Sequence, residues 1–290
     1  MKPEFWTRVF SSAPEDIDSL ILPSDAAALS YLSNLNVERF GLDSNGQGEP
    51  RSIRFTFEFS DDNPFFDNQK LVKEFHWRKQ STRNSKGKRR TWEGFVSEPV
   101  RINWKKGMDL TKGMSNALCD LVEVEKKQPG TERSDLPEFM NFMEKLEALF
   151  NADLSDYSDH SGDEDENKTG PRTDEEKADN DRSEGLSFFD WFGYRGRDVS
   201  AEQSAQAQKE EDERFAKIAN GEEVEDDLDY GDDEDIDMDS EEGADEVEDL
   251  EVFPEGENLA IAIAEDLWPG AMRYYGWFGP FFFIPFPDAY

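Results

Sequence analysis

The segment from Glu222 to Glu251 constrains the fold of this 290-residue chain more than any other feature does. It contains 19 Asp or Glu residues and neither Lys nor Arg. Such a run has too little apolar surface to offset the conformational entropy that folding costs, and its like charges repel one another. The sequence therefore predicts a flexible polyanion inside the chain, and the folded core has to come from the residues on either side of it.

Aromatic residues are the candidates for that core. The chain has 23 Phe and 7 Trp, although only 36 % of its residues are hydrophobic. Both values fit a folded domain that concentrates the aromatic residues, with the charged residues in loops and tails. Cys119 is the single cysteine, so we expect no internal disulfide, no thiolate-rich zinc site and an intracellular location. We also expect no secretory leader and no membrane span, because no run of about 18 apolar residues occurs.

Alternation of apolar and polar residues predicts a small antiparallel sheet. Residues 53–59 place one isoleucine and three phenylalanines on one face, which indicates a half-buried strand. The same alternation predicts a second strand over 71–78 and a third over 100–104. The stretch 83–90 between them is basic and is interpreted as a hairpin tip or loop. Together these segments predict a meander with one face to be covered by helices.

Apolar residues at helical spacing predict the helices that cover the sheet. The first is predicted over residues 24–36, where Leu29, Leu32 and Leu35 follow capping residues. An apolar stripe predicts a second helix over residues 139–150, and a closing helix is predicted over residues 257–275. Residues 201–219 are predicted to form a charged helix.

Six short stretches of the chain occur in an order that is typical of one known family. They are Phe5-Trp6 and residues 55–68, 73–77, 102–111, 187–192 and 265–275. Together they resemble the nucleosome assembly protein family of histone chaperones, in its SET (template-activating factor I) branch, which is unrelated to SET-domain methyltransferases. The resemblance implies an α+β, earmuff-type fold in which a small antiparallel sheet lies over helices, with disordered acidic segments attached.

The resemblance also implies a partner and a location. It implies that acidic surfaces bind core histones, both the tetramer-forming and the dimer-forming pairs. It also implies nucleosome assembly on chromatin in the nucleus, and it leaves shuttling to the cytoplasm open. An alternative within the same branch is an inhibitor or scaffold of protein phosphatase 2A that uses the same surface. The residues that we assign to histone binding are Glu222, Glu223, Glu225, Asp226, Asp227, Asp229, Tyr230, Asp232, Asp233, Glu234, Asp235, Asp237, Asp239, Glu241 and Glu242.

The spacing of charges sets the strength of this tract as a polyanion. An extended chain gives it roughly one negative charge per 5 Å, compared with about 1.7 Å for duplex DNA. We infer that the tract can shield histones and then lose them to DNA. Asp227 to Tyr230 also resemble the acidic-plus-aromatic motif with which several chaperones cap the dimer-forming histone pair. The alternatives are chance for the motif and a solvated spacer for the tract.

Five basic residues stand out against this acidic background. They are Arg83, Lys86, Lys88, Arg89 and Arg90. On a hairpin tip such a cluster is a candidate nuclear import signal. The alternative is a solvated loop that docks on the acidic tract of its own chain.

No residue pattern indicates an enzyme, a cofactor or a metal site. His76 is expected to pack in a strand, and His160 is expected to lie free in water. Two isolated histidines and one cysteine form neither a metal triad nor a nucleophile–base pair. No glycine-rich phosphate-binding loop is present.

The organisation that we predict is one folded domain interrupted by acidic segments. The family's dimerisation helix would precede Phe5 and is absent, so we do not expect a homodimer, unless Met1 is a misplaced start. The aromatic and Pro-rich end is interpreted as an artefact of gene prediction. The predicted parts are 1–150 (first part of the domain), 151–185 (acidic disordered linker), 186–220 (aromatic segment and helix), 221–256 (acidic disordered insert), 257–275 (closing helix) and 276–290 (atypical tail).

Overall fold

A four-stranded antiparallel sheet lies at the centre of the protein, with its strands in the order β1-β2-β3-β4. The computed structural model describes residues 4–42, 45–46, 48–84, 87–158, 186–222 and 252–276. The strands are β1 (Leu32–Arg39), β2 (Ile53–Phe59), β3 (Lys70–Arg83) and β4 (Arg89–Ser97). The predicted meander and its strands over 53–59 and 71–78 are thus confirmed, although β3 is longer than predicted.

Eight α-helices accompany the sheet in the described ranges. They are α1 (Phe5–Phe10), α2 (Glu15–Asp18), α3 (Pro23–Leu29), α4 (Met114–Lys127), α5 (Pro137–Ser158), α6 (Ala201–Ala219), α7 (Gly256–Ala262) and α8 (Ala271–Gly276). Short 3₁₀ helices form at Arg133–Asp135 and Phe188–Gly193, and a π-helical turn forms at Ile263–Leu267. The combination of helices with an antiparallel sheet confirms the predicted α+β class.

The apolar face of the sheet is closed by the 3₁₀ helix Phe188–Gly193, whose residues are all buried. Trp191 lies at its centre, stacked on Phe75 at 5.3 Å and edge-on to Phe55 at 5.2 Å between ring centroids. Its indole N–H donates to the carbonyl of Gly256 at 2.9 Å. Because aromatic rings in such arrangements contribute beyond their buried area, this segment binds the sheet and α7 into one core.

A buried lysine fixes the same segment to the sheet. The ammonium of Lys73 in β3 donates to the carbonyl oxygens of Glu98, Phe192 and Tyr194 at 2.8, 3.1 and 2.6 Å. Burial lowers the pKa of Lys73 well below its usual range, whereas the three carbonyl acceptors favour the protonated form. Three N–H donors match three acceptors, so the ammonium has a hydrogen-bond partner for each of its protons despite its burial.

A second apolar cluster forms where α4 packs on α5. Leu118 and Leu121 of α4 meet Phe142 and Leu146 of α5, and Val252 joins them from the far side of the acidic tract. The apolar stripe predicted over 139–150 is confirmed as part of α5, which continues to Ser158 and thus into the range assigned to the linker. The rest of that linker lies outside the described residues.

The helix predicted over 24–36 is wrong in its second half. Helix α3 ends at Leu29, and residues from Leu32 onwards form β1. The register of β1 against β2 shifts between Leu32 and Asn34, so Ser33 is an extra residue in the strand. The bulge places Leu32 and Leu35 on the same buried face three residues apart, a spacing that imitates a helix.

The strand predicted over 100–104 is also wrong. In the structure Trp104 makes only an isolated bridge to Phe66, and the fourth strand is β4 instead. This extended segment runs along the core, so Ile102 is buried and Trp104 is half-buried. The segment therefore shows the apolar–polar alternation of a strand without the hydrogen bonds to a neighbouring strand. The polar start of β4, with Arg89 and Arg90, concealed the real strand.

Two buried aspartates link α3, the 3₁₀ helix and α4. Asp25 accepts hydrogen bonds from the hydroxyl of Ser187 at 2.5 Å and from the Phe188 N–H at 2.7 Å. Asp190 accepts from the Ser115 hydroxyl and the Ser187 N–H, both at 3.1 Å. Burial raises the pKa of Asp190 well above its ordinary value, and the nearby charge of Asp25 adds to the rise.

We expect the raised pKa of Asp190 to make the fold less stable as pH rises. At low pH the carboxyl is protonated in the folded and the unfolded chain, so its favourable contribution is complete. Above the ordinary Asp pKa the unfolded chain loses its proton first, so the free energy of unfolding falls by roughly 1–3 kcal/mol between about pH 4 and pH 7. Asp190→Asn should remove this fall, measured by urea unfolding at a series of pH values.

The control is Asp62→Asn, which removes an exposed carboxylate in the turn after β2. This variant should retain the pH dependence of the unaltered chain. An Asp190→Asn variant whose free energy of unfolding still falls by the same amount over this pH range would contradict the assignment.

Candidate functional site

The structure fixes the two points between which the acidic tract runs. Of the predicted histone-binding residues only Glu222 is described; it is exposed, and its N–H donates to the Lys217 carbonyl at 3.1 Å. The other fourteen, including Tyr230, lie outside the described residues. The chain is described again from Val252, which is buried between α4 and α5. The tract therefore begins and ends on the folded domain.

Helix α6, which leads into the tract, is the charged helix predicted over 201–219. Ser200 caps its first turn, accepting from the Gln203 N–H at 3.2 Å while the Gln203 side chain accepts from the Ser200 N–H. This capping box sets the start of the helix. The helix then lies on β3, where the Ser204 hydroxyl accepts from the Lys79 N–H at 2.9 Å.

An ion-pair network holds the middle of α6 to the sheet. The Lys79 ammonium pairs with Glu211 of α6 and, at 2.9 Å, with Glu93 of β4. Glu93 also pairs with Arg51, which lies over the ring of Trp77 at 4.4 Å. Burial alone would lower the pKa of Lys79, but the hydrogen bonds that its ammonium donates to Glu211 and Glu93 outweigh burial and raise that pKa. The lysine side chain is mostly buried, so this network contributes more than an exposed pair would.

The far end of the tract is anchored by apolar contacts. Val252 and Phe253 are both buried, and Phe253 belongs to the aromatic core under the sheet. Gly256 follows, where a Cβ atom would overlap the ring of Tyr194, so only glycine allows α7 to approach this closely. These contacts explain why α7 begins at a defined position so soon after the tract.

An open cleft of about 490 Å³ lies between α2 and α7. Leu20, Ile261 and Ala262 form apolar lining, and Asp16 and Glu255 supply carboxylates. The remaining lining residues are Ser19 and Asn258. The Asn258 carboxamide donates to Glu255 at 2.8 Å and restrains that carboxylate. Such a cleft can hold the aliphatic stem of a lysine or arginine while its charged end meets the carboxylates.

The carboxylates of this cleft differ from those that take part in ion pairs on the folded domain. Among the described residues Asp16 and Glu255 form no ion pair. By contrast, Glu74 pairs with Arg54 at 2.5 Å and Glu125 with Arg133 at 2.6 Å. The cleft thus retains negative charge that the domain does not neutralise, which favours a cationic ligand.

The basic cluster occupies the tip of the β3–β4 hairpin. Arg83 ends β3 opposite Arg89, and Arg90 follows in β4 opposite Thr82. The Lys88 N–H donates to the Asn84 side chain at 2.9 Å, which closes the turn. Lys86 lies outside the described residues. The structure therefore brings Arg83, Lys88, Arg89 and Arg90 to one hairpin tip, as the sequence predicted.

The histidine and cysteine of the described part have structural environments. His76 is half-buried and edge-on to Phe40 at 5.2 Å, and burial lowers its pKa. Burial raises the pKa of Cys119 to about 11, so its thiol is a poor nucleophile at neutral pH. His160 lies outside the described residues. In the described ranges no three His, Cys, Asp or Glu side chains are arranged to hold a metal ion.

No helix in the described ranges is both long and apolar enough to cross a bilayer. The two long helices, α5 and α6, carry charged residues along their length.

Comparison with known proteins identifies a family. Residues 2–166 match the sequence profile described as "Nucleosome assembly protein (NAP)". A putative nucleosome assembly protein of Schizosaccharomyces pombe is 33 % identical over 108 residues, which are 37 % of this chain and 42 % of that protein. Protein SETSIP of Homo sapiens is 32 % identical over 113 residues, 39 % of this chain and 32 % of that protein. The chain thus spans less than half the length of these curated relatives.

Solved structures show weaker similarity. The crystal structure of Ccp1 covers 94 % of this chain and 74 % of its own, with 21 % sequence identity and a TM-score of 0.43. The crystal structure of the Vps75 histone chaperone covers 94 % of this chain and 77 % of its own, with 17 % identity and a TM-score of 0.41.

We expect Lys79→Met to loosen α6 from the sheet. The substitution removes the charge that holds Glu93 and Glu211 together, leaving two mutually repelling carboxylates in a partly buried position. The free energy of opening α6 should fall by about 1–3 kcal/mol. Amide hydrogen exchange in residues 201–219 measures this opening.

The matched control is Lys209→Met in the same helix. Lys209 is exposed and pairs with Glu213 at a distance of 3.9 Å, so its loss should leave the exchange of α6 nearly unchanged. Equal protection of α6 in the Lys79→Met variant and the unaltered chain would show that the network does not hold the helix.

Proposed function

The chain belongs to the nucleosome assembly protein family, and on this basis we propose that it is a histone chaperone. It binds core histones through acidic surfaces and promotes nucleosome assembly in the nucleus. The observation that carries the proposal is the uninterrupted acidic tract, with 19 acidic residues and no basic ones, that starts and ends on a folded domain of this family. A strongly negative segment attracts strongly basic proteins and repels nucleic acid phosphates.

The proposed mechanism depends on the acidic tract binding histones less strongly than DNA does. The tract carries roughly one charge per 5 Å when extended, whereas duplex DNA carries one per about 1.7 Å. Histones bound to the tract are kept from disordered aggregation with DNA. They pass to DNA when the wrapped geometry becomes available, because DNA presents the denser array of charge. Asp227 to Tyr230 are proposed to cap the dimer-forming histone pair within this tract.

The cleft between α2 and α7 is proposed as a second histone contact. Its unpaired carboxylates, Asp16 and Glu255, flank apolar lining from Leu20 and Ile261. A histone lysine or arginine can pack its stem on this lining and place its charge between the two acids. This contact lies on the folded domain, so it would orient a histone that the acidic tract has captured.

The remaining assignments follow the same proposal. The basic hairpin tip serves as the nuclear import signal, and the domain is one folded unit interrupted by two acidic segments. No feature of the described residues favours an inhibitor or scaffold of protein phosphatase 2A, so we propose the chaperone role alone.

The direct test is whether the purified chain keeps core histones soluble in the presence of DNA at near-physiological salt. We expect soluble complexes followed by regularly spaced nucleosomes on the DNA. The affinity for histones should fall steeply as salt rises, because exposed charges are screened beyond about 8 Å at physiological ionic strength. Immediate co-precipitation of histones with DNA despite excess chain would refute the function.

We expect Asp16→Asn combined with Glu255→Gln to weaken histone binding by about threefold to tenfold. The double variant removes the charge of the cleft while keeping its shape, and the acidic tract is untouched. Titration of core histones followed by fluorescence anisotropy measures the change.

The matched control is Asp61→Asn combined with Asp62→Asn, which removes the same number of charges from exposed positions in the turn after β2. If both double variants lose affinity equally, the effect is one of net charge and the cleft is not a histone contact.

A further inference from the structure

The last turns of α6 carry an apolar pair that the described part of the protein leaves uncovered. Phe215 is 59 % exposed and Ile218 is 50 % exposed. Residues three apart on a helix lie on the same face, so the two side chains form one patch. Single exposed apolar residues are common on protein surfaces, but two neighbours of this size on one helix face are a candidate contact site.

The exposure of this pair follows from how α6 is held. The packed part of the helix ends with Glu211, which pairs with Lys79, and the one buried residue of the described helix is Ala207. From Asp212 onwards no residue of α6 is buried. Phe215 and Ile218 therefore lie on turns that the sheet does not cover, at the end of a helix whose base is fixed.

The charge around the pair selects the kind of partner. Glu210, Asp212 and Glu213 are exposed on the adjacent turns, where they outnumber the basic Arg214 and Lys217, and Glu222 follows at the end of the helix. The chain then continues directly into the other 18 acidic residues of the tract. An apolar patch in this setting repels acidic proteins and nucleic acids, and it attracts a protein that carries basic residues beside an apolar surface.

A surface that is only acidic and an acidic surface with an apolar anchor bind different kinds of partner. Exposed acidic residues bind any flexible polycation, with an affinity that salt abolishes. Burial of large apolar side chains contributes most of the affinity in specific interfaces and is not screened by salt. A folded partner offers an apolar surface for such burial, whereas an extended basic tail does not.

We propose that Phe215 and Ile218 form an apolar anchor that packs against the folded part of a basic partner while the neighbouring acids engage its lysines and arginines. The proposal rests on the proposed function, in which that partner is the folded dimer-forming pair of core histones. The anchor adds, on the rigid helix, to the preference for the folded histone pair over isolated basic tails that is proposed for Asp227 to Tyr230 in the tract.

The test variant is Phe215→Gln combined with Ile218→Gln. Both side chains are exposed and glutamine is a good helix former, so the helix should be retained and the net charge is unchanged. The matched control is Met140→Gln combined with Met272→Gln, which replaces two apolar side chains that are 63 % and 74 % exposed elsewhere on the domain. Circular dichroism verifies that both variants remain folded.

The experiment measures the affinity of the full chain for two probes over a series of salt concentrations. One probe is the folded dimer-forming histone pair, and the other is a short lysine-rich peptide without structure. We expect the test variant to bind the folded pair about tenfold more weakly at every salt concentration, with the same salt dependence. Its affinity for the peptide and both affinities of the control variant should not change.

The outcomes separate this inference from the proposed function. An unaltered chain that binds no histones overturns both. Strong histone binding that is equal in the test variant and the unaltered chain overturns the anchor alone, as does an equal loss of affinity for the peptide. Self-association of the unaltered chain that the test variant loses, with histone binding unchanged, would show instead that the pair contacts a second copy of the chain.

Discussion

The structure depends on one packing interaction, in which the aromatic segment Phe188–Gly193 closes the apolar face of the sheet. Trp191 stacks on Phe75 beneath the strands, and the Lys73 ammonium bonds the carbonyls of Phe192 and Tyr194 from the sheet side. Without this segment the phenylalanine side chains on that face of the sheet would be exposed to water, which is unfavourable. The chain therefore has to return to the core after residues 159–185.

This arrangement explains how so acidic a chain keeps a folded domain. Part of the charge that remains on the domain is neutralised by ion pairs, as in the network of Lys79, Glu93 and Glu211. The strongest concentration of like charge begins at Glu222 and ends before Val252, and both points are attached to the domain. The polyanion and the rigid surface are thus held near each other, which raises the effective concentration of one for a partner bound to the other.

Local sequence patterns were sufficient to predict the elements whose apolar residues recur at a regular spacing. They were insufficient where the position of a side chain depends on residues that are distant in the chain. The alternation in β2 predicts that strand closely, and the helix predicted over residues 201–219 coincides with α6. The bulge at Ser33 places the buried residues Leu32 and Leu35 three positions apart, a spacing that is typical of a helix. The basic residues of the hairpin tip removed the apolar alternation that would have predicted the start of β4. The cleft of Asp16 and Glu255 was not predictable, because it exists only where α2 packs on α7, some 240 residues later in the chain.

The proposed assembly role requires that the acidic surfaces hold histones less strongly than DNA does. The measurement that tests it most directly is a competition in which duplex DNA is titrated into a preformed complex of the chain with core histones, while the distribution of histones is followed. We expect histones to transfer to DNA and nucleosomes to accumulate while the free chain is released. Histones that remain on the chain, together with preformed nucleosomes that dissociate when the chain is added, would contradict it.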